Sequence, residues 1–314
     1  MQECEALKSV EALAPRNARS LWSEAADSSC ESLGDKVADG WGADDGPDAT
    51  FPLMGIPIGA IGMRQAISRV LGLAGSNGTT GSIVTFANVH MTVEAQRDDA
   101  LRQVLLSAAL NCPDSKPISW IGRYLFPHHV TRVAGPDFMP LFCDVSRLSG
   151  LGHFFYGGAP GVAEAAARKL EELYPGIAIK GVYSPPYRAL SADEDDDICR
   201  LINESGADVL WVGLGCPKQE KWMFEHRDRL AVRVQCGVGQ AFDILGLKTK
   251  RAPRILQDFG LEWAYRLASE PRRLLKRYLY TNTCFLLWLV VHWPNFLKEK
   301  RLLQKQMLEA QGAK

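Results

Sequence analysis

The sequence lacks several devices that would fix its class at once. Its eight cysteines, at positions 4, 30, 112, 143, 199, 216, 236 and 284, include no C-x-x-C pair. That spacing excludes the common zinc frameworks, so no metal site is expected. The cysteines read as reduced, mostly buried thiols of a cytosolic protein. There is no G-K-[ST] and hence no P-loop, and no G-x-G-x-x-G with an acidic partner at the dinucleotide distance. No secretory signal is expected, because no continuous apolar h-region opens the sequence. No apolar run reaches the ~20 residues that span a bilayer. Formal net charge is zero, which argues against a general nucleic-acid partner.

What is present is an uneven charge distribution on a chain of 314 residues, long enough for one large or two medium domains. Residues 1–50 hold eleven acidic and four basic side chains and no sustained periodicity, and read as a poorly ordered acidic extension. Residues 248–314 hold fourteen basic and five acidic ones. A basic, apolar tail on a neutral chain points to an anionic surface or ligand at that end. Between them, residues 51–247 alternate short apolar runs with amphipathic stretches.

After a first helix in Met54–Gly75, spaced around Met63, Ile67, Val70 and Leu71, strands are expected at Ile83–Ala87, His153–Tyr156, Ile177–Val182, Val209–Leu214 and Arg233–Val238. Helices are expected at Met91–Leu110, Phe138–Ser149, Val162–Leu173 and from a Ser191/Glu194 capping box to Asn203. Asn111–Ser115 reads as a turn. This alternation implies a doubly wound, mainly parallel α/β sheet with right-handed crossovers. Arg251–Leu279 reads as two basic helices started near Pro253 and Pro271. The following Thr283–Trp293 is apolar for eleven residues and flanked by cations. It suits either a membrane interface or a packed C-terminal helix.

The stretch that organises the rest is Ala207–Trp222. Its strand ends in Gly213 and Gly215, which allow a sharp turn and close ligand approach. Pro217 then starts a helix bearing Lys218, Gln219 and Glu220 where free N–H groups point outward. In such sheets, ligands bind at the carboxyl ends of strands. Asn88 and His90 lie at another strand end. Gly157-Gly158-Ala159-Pro160-Gly161 suits a phosphate at a helix N-terminus, and Gly237 and Gly239 form a further strand-end turn. Asp114 sits in a loop and reads either as a general base or as a turn aspartate. The acidic run Asp193–Asp197 has a sufficient reason in the helix dipole.

Together these segments resemble the WecG/TagA/CpsF family of glycosyltransferases over roughly Ser82–Tyr280. The resemblance rests on Asn88-Val89-His90, Pro113-Asp114, Arg132–Asp137, Phe155–Gly158, Val212–Glu220, Gly237–Gly239, Ala241–Asp243, Arg251–Pro253, Gly260–Trp263, Glu270–Arg273 and Arg277-Tyr278. It implies an inverting enzyme that moves a sugar from a UDP-sugar to a polyprenyl-diphosphate-linked acceptor, with no required metal and no cofactor. Donors in the family include N-acetylmannosamine, its uronic acid and glucuronic acid.

The resemblance further makes Asp114 the catalytic base, Asn88 a substrate-positioning residue and Gln219 a polar contact in the site. Arg266, Arg273 and Arg277 are the cations of a membrane-docking C-terminal appendage. Residues His90, Gly157, Gly158, Lys218, Glu220, Gly237 and Gly239 complete the substrate-binding set. The implied location is peripheral, on the cytoplasmic face of the cell membrane, with self-association left open. Ser115 departs from the family's glycine after the aspartate, a residue less free at positive φ. Two rivals stand beside this reading, a nicotinamide-dependent oxidoreductase and a nucleotide-sugar-binding relative without turnover.

Overall fold

A computed structural model describes residues 49–76, 81–126, 130–246 and 249–312. The acidic extension therefore lies outside the described residues, apart from its last two positions. The described chain opens with an antiparallel hairpin, β1 (Thr50–Leu53) and β2 (Ile56–Gly59). Its two turn residues, Met54 and Gly55, have φ of 51° and 75°, the left-handed pair that a two-residue hairpin turn demands. The periodicity does not reveal this hairpin, since the loop carries only one glycine.

Helix α1 (Met63–Gly75) leads into β3 (Ser82–Ala87). The stretch expected as one helix over Met91–Leu110 is two, α2 (Val89–Glu94) and α3 (Asp99–Ser107). Asp98 caps the second through its side chain, which accepts from Leu101 N. The presumed turn at Asn111–Ser115 is in its first half the edge strand β4 (Leu110–Pro113), parallel to β3. Asn111 belongs there because its side chain is fully used. It accepts from Thr85 Oγ1 at 2.7 Å and donates to the carbonyls of Leu105 and Pro57 at 2.7 and 2.9 Å. Pro113 is tolerated because β4 is an edge strand.

The chain continues through α4 (Lys116–Leu125), α5 (Gly135–Ser146), β5 (Gly152–Gly157), α6 (Val162–Leu173), β6 (Ala178–Tyr183) and α7 (Ala192–Glu204). The Ser191/Glu194 capping box forms as the sequence indicates. Then come β7 (Val209–Gly213), α8 (Lys218–His226), β8 (Val234–Gly237) and α9 (Ala241–Leu245). The main sheet has six parallel strands in the order β4-β3-β8-β7-β5-β6. Helices cover both faces, so the fold is the expected doubly wound α/β sheet.

Phe138, Phe142, Phe155, Trp211 and Phe242 fill one side of the sheet; Tyr156, Ile198, Leu210, Trp222 and Met223 fill the other. Trp211 is fully buried, edge-on to Phe142 at 5.7 Å, and donates to His153 Nδ1 at 3.1 Å.

Instead of two basic helices after residue 250 there are three: α10 (Arg254–Asp258), α11 (Glu262–Ser269) and the 42-residue α12 (Pro271–Gly312). Gly260, at φ 70°, separates the first two. One stripe of α12 packs inward, where Phe285 and Phe296 join Phe51, Ile56, Met91 and Ile118 in a third core cluster. The opposite stripe leaves Leu279, Leu286, Leu287, Val290 and Val291 between 59% and 74% exposed. No helix among the described residues is long and apolar enough to cross a membrane.

Candidate active site

Five strands of the sheet deliver their carboxyl ends to one edge, carrying Asn88, Asp114, Gly157, Gly213 and Gly237. β5 connects outward to β6, whereas β7 connects the other way to β8. Loops that part in this way leave a crevice, the usual ligand position of an open α/β sheet. Glycine is required there. Gly157 has φ 119°, and a Cβ on it would lie 2.7 Å from the Gly213 backbone. Gly158, at φ 76°, donates its N–H to the Gly213 carbonyl at 3.0 Å.

Asp114 follows β4, and its backbone N–H donates to the Ala87 carbonyl at 2.9 Å. Arg132 Nε donates to the Asp114 carbonyl at 2.7 Å, and Nη2 of the same guanidinium donates to Glu262 at 2.6 Å. Burial pushes the Asp114 carboxyl up to about 6, opposed by Arg132 and reinforced by Glu262. A half-buried carboxylate tuned this way is ionised near neutral pH yet basic enough to accept a proton. The serine after it is no obstacle, since Ser115 sits at φ −94° and ψ 149°, ordinary extended backbone. Asn88 is used structurally as the N-cap of α2, accepting from Met91 N at 3.1 Å.

On the other side of the strand ends, Gln219 is buried and fully engaged. It accepts from Gly215 N at 3.1 Å and donates to Gly237 O at 2.9 Å and Glu220 Oε1 at 2.7 Å. It thus clamps the β7 and β8 turns together, its amide 3.0 Å from where a Gly237 Cβ would stand. Gly239 turns at φ 52° just beyond. Glu220 is wholly buried, and that burial raises its carboxyl to about 7. His90 is held down at about 4, first by burial and then by the nearby Arg277 cation. It is therefore neutral at neutral pH. Burial also lowers the Arg277 guanidinium from its usual range.

Of the appendage cations, Arg266 lines a cleft with Gln240, Arg251, Glu262 and Tyr265. Arg273 is exposed and paired with Glu270 at 2.5 Å. Lys218 points to solvent. The acidic run after Ser191 is a surface network. Asp195 meets His226 at 2.8 Å and Arg229 at 2.7 Å, and Asp196 meets Arg229 at 2.5 Å. Asp195, Cys199 and His226 do converge closely enough for a cation, but Arg229 already occupies the Asp195 carboxylate.

Sequence reasoning passed over two ion pairs that frame the site, Arg132–Glu262 and the two-pronged Arg251–Asp137. Both join residues more than a hundred positions apart, so no local pattern signals them. The buried side-chain atoms left without partners include His90 Nδ1, Ser115 Oγ, Glu220 Oε2, Gln240 Oε1, Arg251 Nε and Arg277 Nε. Four more, on Glu164, Tyr174, Trp222 and Gln235, lie in or at the ends of the helices and strands of the core. Unsatisfied buried polar atoms cost roughly 1–3 kcal/mol each, so those beside the strand ends, on His90, Ser115 and Glu220, are candidate contacts for a polar ligand.

A doubly wound α/β sheet with a tuned carboxylate, glycine turns and converging cations at its carboxyl edge is the architecture of an α/β group-transfer enzyme. Residues 51–299 match the family described as Glycosyl transferase WecG/TagA/CpsF, and the chain belongs to it. It is also 30% identical, over 193 residues, to the N-acetylglucosaminyldiphosphoundecaprenol N-acetyl-beta-D-mannosaminyltransferase of Bacillus spizizenii strain W23. That match covers 62% of this chain and 73% of that enzyme. The protein is therefore a glycosyltransferase, and the oxidoreductase reading falls away.

Proposed function

We propose that this glycosyltransferase moves an N-acetylmannosamine-type sugar, with inversion, from a UDP-sugar to N-acetylglucosamine on a polyprenyl diphosphate, in surface polysaccharide assembly. The observation that carries this is the raised carboxyl of Asp114 at the carboxyl edge of the sheet, with Arg132, Glu262 and Arg266 near enough to act on its charge. The relative's name, which specifies an N-acetylglucosaminyl-diphosphate lipid and an N-acetylmannosaminyl group, supplies the substrate class.

In this reading Asp114 removes the proton from the acceptor hydroxyl as that oxygen attacks the anomeric carbon. The bond from that carbon to UDP breaks on the opposite face, and UDP leaves with the electron pair. One carboxylate that is ionised at neutral pH is enough for this step. Negative charge on the diphosphates is met by Arg266 and Arg277, with Arg273 recruited from its Glu270 pair, and by the N–H groups of the glycine turns. Asn88 and Gln219 act by holding those turns in place, and His90, Gly157, Gly158, Gly237, Gly239 and Glu220 border the substrates. Lys218 meets them only at the solvent rim.

Residues 51–247 form the catalytic core and 248–314 the appendage. The appendage's apolar outer stripe and flanking cations rest on the anionic inner face of the membrane, where the acceptor's lipid resides.

The deciding experiment incubates a panel of UDP-sugars with a short-chain polyprenyl-diphosphate-N-acetylglucosamine and follows UDP release. Release with UDP-N-acetylmannosamine that depends on the lipid acceptor is the expected result. Release with a uronic donor alone would reassign the sugar. UDP binding without release from any donor would instead indicate a member that has lost turnover.

A further inference from the structure

Glu262 opens α11, far in sequence from any strand end, yet it reaches Asp114 through a single guanidinium. Arg132 donates one N–H to the Asp114 main-chain carbonyl at 2.7 Å and another to Glu262 Oε2 at 2.6 Å. The Arg132 and Glu262 side chains are 16% and 18% exposed, so the pair is largely shielded from water and salt. From the other side, Asp114 N–H is anchored on the Ala87 carbonyl at 2.9 Å. Two further ties hold the appendage against this loop. Lys116 lies 3.8 Å from Asp258. Gly260 also packs so closely that a Cβ there would meet Lys116 Cβ at 3.1 Å.

We propose that Glu262 is a positioning residue for the transfer reaction: through Arg132 it fixes the Asp114 loop, and its negative charge strengthens Asp114 as a base. The inference rests on Asp114 being the base and adds what sets its strength. Four charged groups face the Asp114 carboxyl besides the burial that dominates it. Arg132 and Arg266 favour the ionised form; Glu262 and Asp137 oppose it. Asp137 is already committed to Arg251 in a two-pronged pair. Glu262 not only opposes ionisation directly but also occupies the guanidinium that would otherwise favour it. Both effects act in one direction. A carboxylate with a higher proton affinity abstracts a hydroxyl proton faster, so long as it stays ionised at the working pH. Because Glu262 belongs to the appendage, the base reaches full strength only with the appendage seated.

Glu262→Gln keeps an oxygen for Arg132 and removes the charge. The acidic limb of kcat should move down by about one pH unit. The plateau rate should fall several-fold, with the KM for the UDP-sugar unchanged. Glu262→Ala removes the anchor as well and should cost more in kcat, and Glu262→Asp should restore part of it. Asp114→Asn, run alongside, separates the two readings. If Asp114→Asn abolishes transfer while Glu262→Gln leaves the limb where it was, the inference is overturned and the base stands. Near-normal transfer by Asp114→Asn would remove the base itself. Should Glu262→Ala lower the melting temperature, the isosteric Gln variant still decides the question through its pH profile.

Discussion

At the scale of single residues, the site divides into groups that face substrate and groups that hold others still. In the proposed reaction Asp114 is of the first kind. Its replacement by Asn should slow transfer by roughly 10²–10⁴, the usual reach of a general base, and leave UDP affinity within a few-fold. Steady-state rates beside a UDP titration check this. The acid limb follows from the same group. A base works only when ionised, so activity should be full above pH 7 and fall as pH drops through about 6, the raised value burial gives this carboxyl. Gln219 is of the second kind. Its three bonds to Gly215, Glu220 and Gly237 commit both amide hydrogens and leave a substrate only the second lone pair of Oε1. The candidacy of both residues was legible in the sequence because Asp114 follows Pro113 at a strand end and Gln219 falls in the first turn of the helix after Pro217. Their division of labour was not, since it depends on where each side-chain atom finds its partner.

Among the elements, legibility follows local periodicity. Helix Val162–Leu173 and the Ser191 box stand where the sequence puts them, because apolar spacing and a cap agree. Strand β4 was hidden because Asn111 and Pro113 are poor strand residues. Only the distant Thr85 hydroxyl, the Leu105 and Pro57 carbonyls and the edge position make them acceptable. The long α12 was ambiguous for a physical reason: it is apolar on two faces, of which one is packed and the other exposed. Phe285 is core, so Phe285→Ala should cost roughly 3–5 kcal/mol in urea unfolding. Replacing Leu286, Leu287, Val290 and Val291 by Asn should leave the urea midpoint nearly unchanged and weaken co-sedimentation with anionic vesicles. Cutting the chain after Ser269 would confound these effects, because it also uncovers the cluster around Phe51. Unaltered vesicle binding by the four-residue variant would remove the outer stripe from the membrane contact.

For the molecule as a whole, the centre of the sheet contains a histidine that must stay neutral. His153 is fully buried, accepts from Trp211 Nε1, and lies 3.0 Å from the Ser146 hydroxyl. Burial lowers it from the ordinary 6.5 to about 4. Between those values the unfolded chain takes up a proton that the folded one refuses. The histidine's contribution is therefore complete above pH 6.5 and is lost as pH falls toward 4, by up to about 3 kcal/mol. Glu220 and Asp114, whose folded values are raised, act in the opposite sense over much the same range. The effect is best read as a difference: the stability gap between the native protein and His153→Gln should narrow from pH 7.5 to pH 5. A gap that does not change with pH would show that the ring's neutrality contributes nothing.

The two-sided character of α12 couples folding to location. Its inner stripe closes the hydrophobic cluster beneath the hairpin, and its outer stripe lies exposed, the surface that lipid would meet in the proposed membrane contact. A bilayer that binds the folded chain but not the unfolded one acts as any ligand does, and shifts the folding equilibrium by mass action. Vesicles should then raise the melting temperature in proportion to the logarithm of accessible lipid. The enzyme would be at its most durable where its acceptor is found, and molecules adrift in solution would be the first to be lost.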